Sequence, residues 1–140
     1  MDILDIYNTH NHFGRLLGMT YSIINSGEVS YSLKVKLEHL ATKTAAHGGL
    51  LAGFMDAVIG VAALSAVVAD KKIVSTIEFK ISYLKPALLG DRLIGKGLVL
   101  QKGNRIIVTE GKIYNQHNEL ICIATGTLNA YPFEKSDFNS

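Results

Sequence analysis

Hydrophobic and polar positions alternate most cleanly between residues 28 and 37. Val29, Tyr31, Leu33, Val35 and Leu37 fall on one side, and Glu28, Ser30, Ser32, Lys34 and Lys36 on the other. Successive side chains of a strand point to opposite faces, so this pattern predicts one buried and one solvated face, as in an antiparallel sheet. A shorter strand over residues 19–24 precedes it, and Asn25-Ser26-Gly27 between them reads as a hairpin turn. Further on, Ile73, Ser75, Ile77, Phe79, Ile81 and Tyr83 alternate with Val74, Thr76, Glu78, Lys80 and Ser82. Pro86 and Gly90-Asp91 break that run. Strands over residues 92–101, 105–114 and 119–131 follow, turned at Lys102-Gly103-Asn104 and at Asn115-Gln116-His117-Asn118.

Two stretches depart from the alternation. Residues 3–13 carry apolar positions at helical spacing and end at Gly14, which predicts a short amphipathic helix. Residues 48–69 carry a single charged residue, Asp56, in an otherwise largely apolar stretch. That length could span a bilayer. An aspartate near the centre of such a span costs roughly 2.5–3.5 kcal/mol, however, and strand-like sequence flanks the segment on both sides. A helix apolar nearly all round is expected to be enclosed in a core, with no membrane span. The order helix, two strands, long helix, four strands predicts a single α+β domain over residues 1–140, its antiparallel sheet curled around the long helix. The polar residues 132–140 are expected to fray.

Composition narrows the function classes. A hydrophobic share of 48% with 19% charged residues describes a globular chain. A net charge of +2 without a dense Lys/Arg run gives no reason to expect nucleic acid as a partner. The single cysteine, Cys122, excludes an internal disulfide, and in Leu120-Ile121-Cys122-Ile123 it reads as a small core residue. The first residues lack the basic and apolar regions of a signal peptide, so a cytoplasmic protein is expected. His10 and His12 are two positions apart on a predicted helix and His117 lies in a turn. No Cys, His and carboxylate arrangement suggests a metal, and no cofactor is expected.

The long helix carries the candidate chemistry. Gly49, Ala52, Gly53, Asp56, Gly60 and Ala63 share one stripe, opposite Leu50, Leu51, Phe54, Val58, Ile59 and Val61. Helix-interior glycines cost about 0.8–1.0 kcal/mol each relative to alanine, so Gly53 and Gly60 call for a closely packed second subunit or a thin ligand. Ala46-His47-Gly48-Gly49 opens the helix with two residues lacking side chains. A helix N-terminus presents unpaired amides and the positive end of the dipole, which suits an oxyanion. Asp56 sits roughly 10 Å further along the axis, too far to act on the same carbonyl within one chain. A dimer that supplies the aspartate across its interface resolves that separation.

His47-Gly48-Gly49 followed by Asp56 resembles the PaaI-like branch of hotdog-fold acyl-CoA thioesterases. Ser82-Tyr83-Leu84-Lys85-Pro86-Ala87, Gly90-Asp91 and Ala124-Thr125-Gly126-Thr127 extend the likeness, which runs over about residues 14–130. The resemblance implies a hotdog fold, an acyl-CoA substrate, and a homodimer or a tetramer made of two dimers. It also implies that the Gly48 amide polarises the thioester carbonyl and that Asp56 of the neighbouring subunit acts as base or nucleophile, with Thr76 assisting. The candidate catalytic residues are therefore Asp56, Gly48, His47 and Thr76; His47 either orients the helix start or contacts the substrate. Candidate substrate-binding residues are Gly49, Lys85, Asn104 and Arg105, with Arg92 and Lys102 as further cations near strand ends able to meet the phosphates of coenzyme A. The sequence departs from the family at Ala41, where an asparagine is common. That departure keeps open a domain that binds acyl-CoA without hydrolysing it. A hotdog hydratase or dehydratase is the third reading, and Asp56 in a His-Gly-Gly context fits it less well.

Overall fold

The computed structural model describes residues 2–139. The chain opens with α1 (Ile3–His10), whose first turn is capped by the Asp2 carboxylate accepting the Asp5 amide at 2.9 Å. The single helix expected over residues 3–13 is in fact two. Asn11 leaves the helical conformation (φ −80°, ψ 67°), and its side chain accepts the Gly14 amide at 3.1 Å to start α2 (His12–Leu17). Arg15 of α2 reaches back to donate to the carbonyls of Asn8 and Thr9 at 2.7 and 3.0 Å, covering the last turn of α1. A local polar side chain, invisible to hydrophobic periodicity, thus decides the break.

Strand β1 (Thr20–Asn25) pairs with β2 (Glu28–Lys34) through the Ser26-Gly27 turn. Val29, Tyr31, Leu33 and Val35 are buried as expected, but Leu37 is 74% exposed. The strand ends at Lys34 and residues Leu37–His39 form a 3-10 turn, so the period-two rule no longer governs that position. After the long helix α3 (Gly48–Val67) come β3 (Lys72–Tyr83), β4 (Arg92–Lys102), β5 (Ile106–Tyr114) and β6 (Leu120–Pro132). The six strands form one antiparallel sheet in the order β1-β2-β4-β5-β6-β3. Strands β2 and β3 lie far apart in it, so the connecting α3 must cross the sheet and is wrapped by it. This is the hotdog fold.

Phe54, Met55, Val58, Ile59 and Ala62 on α3 are fully buried against the sheet. The segment Gly48–Asp70 is long and apolar enough to cross a bilayer, but its most apolar stretch is 67% buried in the fold. The helix is seated closely on the sheet because glycines lie beneath it. A Cβ on Gly95 would collide with Val58, one on Gly111 with Met55, and one on Gly126 would lie 2.7 Å from Ile59 Cδ1. Gly97 is the least forgiving case, since its Cβ would meet the Val58 carbonyl oxygen at 2.5 Å and backbone cannot step aside. Cys122 is also fully buried, and burial pushes its thiol up to about 12, consistent with a core residue.

Two other expectations are corrected. Pairing of β3 with β6 slips between Thr76 and Glu78, a bulge that leaves Ile77 56% exposed. Val74 and Phe79 and Ile81 all pack against the core, so the residues that meet the helix are even-numbered before the bulge and odd-numbered after it. The tail beyond Pro132 does not fray within the described residues: it forms 3-10 turns at Phe133–Lys135 and Asp137–Asn139, with Phe133 and Phe138 stacked at 6.3 Å. Its aromatics give it something to bury.

Gly97→Ala is expected to destabilise the protein by about 1–3 kcal/mol through forced separation of helix and sheet. Gly60→Ala, whose Cβ would meet nothing within 4 Å, is expected to be neutral or to stabilise by up to about 1 kcal/mol. Urea denaturation of both variants against the parent checks the contrast.

Candidate active site

The start of α3 is held by loop contacts. The His47 amide donates to the His39 carbonyl and the Ala46 amide to the Ala87 carbonyl, both at 2.8 Å. His47 is the N-cap (φ −64°, ψ 140°), and its Nδ1 accepts the Gly49 amide at 2.7 Å. A nitrogen that accepts carries no proton, so any hydrogen on the His47 ring is at Nε2. The two expected amide donors therefore differ. The Gly49 amide is engaged by His47, whereas the Gly48 amide has no acceptor among the described residues. The Gly48 carbonyl accepts the Tyr83 hydroxyl at 2.9 Å. Gly48, Tyr83, Lys85 and Pro86 line a shallow cleft of about 320 Å³.

Two turns along α3, Asp56 is exposed and accepts the Thr76 hydroxyl on Oδ1 at 2.7 Å. The Ile77 bulge keeps Thr76 on the helix side of β3 even though Phe79 and Ile81 also face the helix. Asp56 Oδ2 has no hydrogen-bond partner among the described residues. Asp56 and Thr76 line a separate cleft of about 300 Å³, which shares no residue with the cleft at Gly48. Gly49, Ala52, Gly53, Asp56 and Gly60 of the predicted stripe form the less buried face of α3, but Ala63 is fully buried. Gly53 has a local explanation, since its Cβ would lie 3.3 Å from the Phe13 ring of α2.

The candidate binding residues are scattered within one chain. Lys85 borders the Gly48 cleft and pairs with Glu119 at 2.6 Å; the amide of Asn115 and then Lys85 hold the Glu119 carboxyl below its usual range. Asn104 accepts two bonds from Lys72, and Lys102 pairs with Asp70 at 2.9 Å, so this turn lies beside the other end of α3. A 20-residue helix is about 30 Å long. Arg105, exposed in that same turn, is equally remote from Gly48. Ala41 is exposed, and the neighbouring Thr42 hydroxyl accepts the Thr44 and Ala45 amides at 3.3 and 2.9 Å, so it does not replace an asparagine side chain. Tyr83, Tyr7, Phe13 and Phe138 also line the two clefts. Tyr83 was legible as an alternating strand position and as part of the family-like strand end, and Tyr7 and Phe13 only as positions of the predicted first helix, with nothing to mark any of them as site residues.

A model of the thioesterase superfamily matches residues 44–122, more than half of the chain and including Gly48, Asp56 and Thr76. The chain belongs to the thioesterase superfamily. That membership gives the reaction class, hydrolysis of a thioester. A protein of Archaeoglobus fulgidus is 29% identical over 105 residues, which span 75% of this chain and 66% of that one. The medium/long-chain acyl-CoA thioesterase YigI of Escherichia coli is 21% identical over 137 residues, 88% of each chain. Among solved structures, the E. coli PaaI protein from the phenylacetic acid degradation operon superposes with a TM-score of 0.84 at 20% identity, covering 91% of this chain and 90% of that one. A hypothetical thioesterase protein of Streptococcus pneumoniae, solved with coenzyme A, is 27% identical with a TM-score of 0.72 over 81% of this chain and 86% of that one. PaaI shares the fold at this identity, and the pneumococcal protein is similar in sequence as well.

Two predictions follow from the helix start. A Cβ on Gly49 would sit 2.8 Å from His47 Nδ1, so Gly49→Ala is expected to unseat the cap and cost about 0.5–2 kcal/mol, read by thermal denaturation. His39 is 6% exposed, its Nδ1 accepts the Lys36 amide at 3.0 Å, and its Nε2 is unpartnered. Burial first, then Lys36, lowers its pKa, against a smaller opposing effect of Glu38. A histidine depressed in the folded state favours folding fully above its unfolded pKa and loses that contribution as pH falls. The melting temperature should therefore drop as pH goes from about 7 to 5, and His39→Asn should flatten that slope.

Proposed function

We propose that this protein is an acyl-CoA thioesterase that works as a homodimer, or as a pair of dimers, with each reaction centre divided between two copies. The observation that carries the reading is that the two halves of a hydrolytic site lie in two clefts with no residue in common. One half is the unpartnered Gly48 amide at the positive end of α3, and the other is the Asp56–Thr76 pair. Pairing two copies with their helices side by side brings one copy's Gly48 to the other's Asp56.

In this reading the thioester oxygen accepts the Gly48 amide, which favours negative charge developing on it. Asp56 of the other copy takes a proton from water through Oδ2, and the water oxygen attacks the carbonyl carbon. The tetrahedral intermediate collapses by breaking the C–S bond. The thiolate of coenzyme A recovers the proton from Asp56, leaving a free acid, a thiol and the original carboxylate. Thr76 is a positioning residue that fixes Asp56 through Oδ1. His47 positions the first turn by holding the Gly49 amide, and Gly49 leaves room for the ring. Lys85 provides positive charge at the mouth of the Gly48 cleft, while Asn104 and Arg105 serve the nucleotide portion of a substrate seated across the interface.

The pneumococcal relative supports a coenzyme A substrate, since one of its structures contains that molecule. Other structures of the same protein carry an alanine in place of an aspartate and in place of a threonine, the residue types paired here. YigI is named for acyl-CoA chemistry. A second reading, in which the domain binds acyl-CoA without turnover, is favoured only by Ala41.

Asp56→Asn is expected to reduce hydrolysis by about 10²–10⁴ with folding and acyl-CoA binding retained. Gly48→Val is expected to reduce it by about 10²–10³. Mixing the two inactive proteins after denaturation and refolding should restore about a quarter of the parent rate, because half of the dimers then hold one intact centre of two. Free-thiol release from octanoyl-CoA measures each rate. Absence of restored activity in confirmed mixed dimers contradicts a shared centre, and near-normal turnover by Asp56→Asn contradicts the enzymatic reading altogether.

A further inference from the structure

The cleft headed by Asp56 continues along α3, past Gly60 to Leu64, with Val74 beside it. Its far side is closed by Ile73, Tyr131 and Phe138. Phe138 lies in the last 3-10 turn, where it stacks on Phe133 and meets the His10 ring of α1 edge-on at 5.5 Å. The N- and C-terminal segments thus close over the same cleft. Both lie outside residues 44–122, the part shared with the superfamily model, so this wall is separate from the common core.

The lining indicates what the cleft takes. Asn11 Oδ1 is occupied by the Gly14 amide at 3.1 Å. Beyond Asp56 the lining turns mostly apolar, with Gly60, Leu64, Ile73, Val74, Leu128 and Phe138 and the ring of Tyr131 beside them. Gly60 is central to it. A Cβ there would meet nothing within 4 Å, so its missing side chain leaves open volume and not a close packing contact.

We propose that this cleft is the acyl pocket, that it takes a straight hydrocarbon chain running over Gly60, and that Phe138 is the stop that limits chain length. The assignment rests on the placement of the thioester carbonyl at Asp56 proposed above. Gly60 and Phe138 are then specificity-determining positions, because one methylene of fit in an apolar pocket changes discrimination by about 10–200-fold.

The test compares the intact protein with Gly60→Leu and Phe138→Ala on acetyl-, octanoyl- and palmitoyl-CoA, reading ratios of kcat/KM. Gly60→Leu should lower the octanoyl-to-acetyl ratio by about tenfold or more, and Phe138→Ala should raise the palmitoyl-to-octanoyl ratio similarly. Phe138→Leu stands in should the alanine variant fail to fold. Unchanged ratios in folded variants would overturn the pocket. So would loss of the parent oligomer on Gly60→Leu, which assigns the open face to a second copy of the chain. Calorimetric binding of S-octyl- and S-hexadecyl-CoA thioethers to the same variants separates the two proposals. A protein that hydrolyses none of the esters but shows the expected shifts in thioether affinity keeps the pocket and loses the reaction, whereas unshifted affinities reject the pocket whatever the rates.

Discussion

The close seating of α3 on the sheet governs the rest of the molecule. Gly95, Gly97, Gly111 and Gly126 remove the side chains that would otherwise hold helix and strands apart, and Val58, Met55 and Ile59 occupy the space. Interiors pack at nearly crystalline density, so a helix set into such a trough has little freedom to roll. Once Phe54, Met55, Val58 and Ile59 are buried, the remaining face must present Gly49, Ala52, Gly53, Asp56 and Gly60. The aspartate is aimed by the packing of apolar residues on the opposite side of its helix.

The same helix carries both parts of the proposed site, which is why the proposed reaction centre draws them from two copies. Its N-terminus offers the Gly48 amide, and the rise to Asp56 is fixed by helical geometry at about 10 Å. A rigid rod cannot fold back on itself. Within a chain the surroundings of each end are set by different strands: Tyr83 at the end of β3 meets Gly48, while Thr76 near the middle of the same strand meets Asp56. A single strand reaches both because the bulge at Ile77 shifts its parity midway. Without that extra residue, placing Phe79, Ile81 and Tyr83 toward α3 would turn Thr76 away from it.

The termini add a second layer. Tyr21 donates to Asn8 at 2.6 Å and packs against Tyr31 at 5.1 Å, which in turn meets Phe54 edge-on at 5.8 Å. This aromatic chain ties α1 to the core, and burial raises the Tyr7 and Tyr31 hydroxyls above the usual tyrosine range. The N-terminal helices are therefore anchored at the Asp56 cleft, and the tail reaches them through Phe138 and His10. The segments with the weakest sequence signals end up bordering the candidate site.

The sequence by itself determined the elements whose signal is local and repeated. Alternation in residues 28–35, the unbroken apolar run around Asp56, and turn residues such as Ser26-Gly27 and Lys102-Gly103-Asn104 specify strands, helix and hairpins, because side-chain direction follows from backbone period alone. The family motif marked Gly48 and Asp56, since helix spacing fixes how residues on one element relate. Only the tertiary structure decided what depends on contacts between distant residues. Asn11 splitting the first helix, Leu37 turning outward, the bulge at Ile77, the capture of the Gly49 amide by His47 and the ordering of the tail by Phe133 and Phe138 are of this kind. So is the separation of Lys85 from Asn104 and Arg105, which seemed alike as cations and polar residues near strand ends and lie at opposite ends of a 20-residue helix. Periodicity reports which way a side chain points from its own backbone, and the partner it meets there is settled when the sheet closes around the helix.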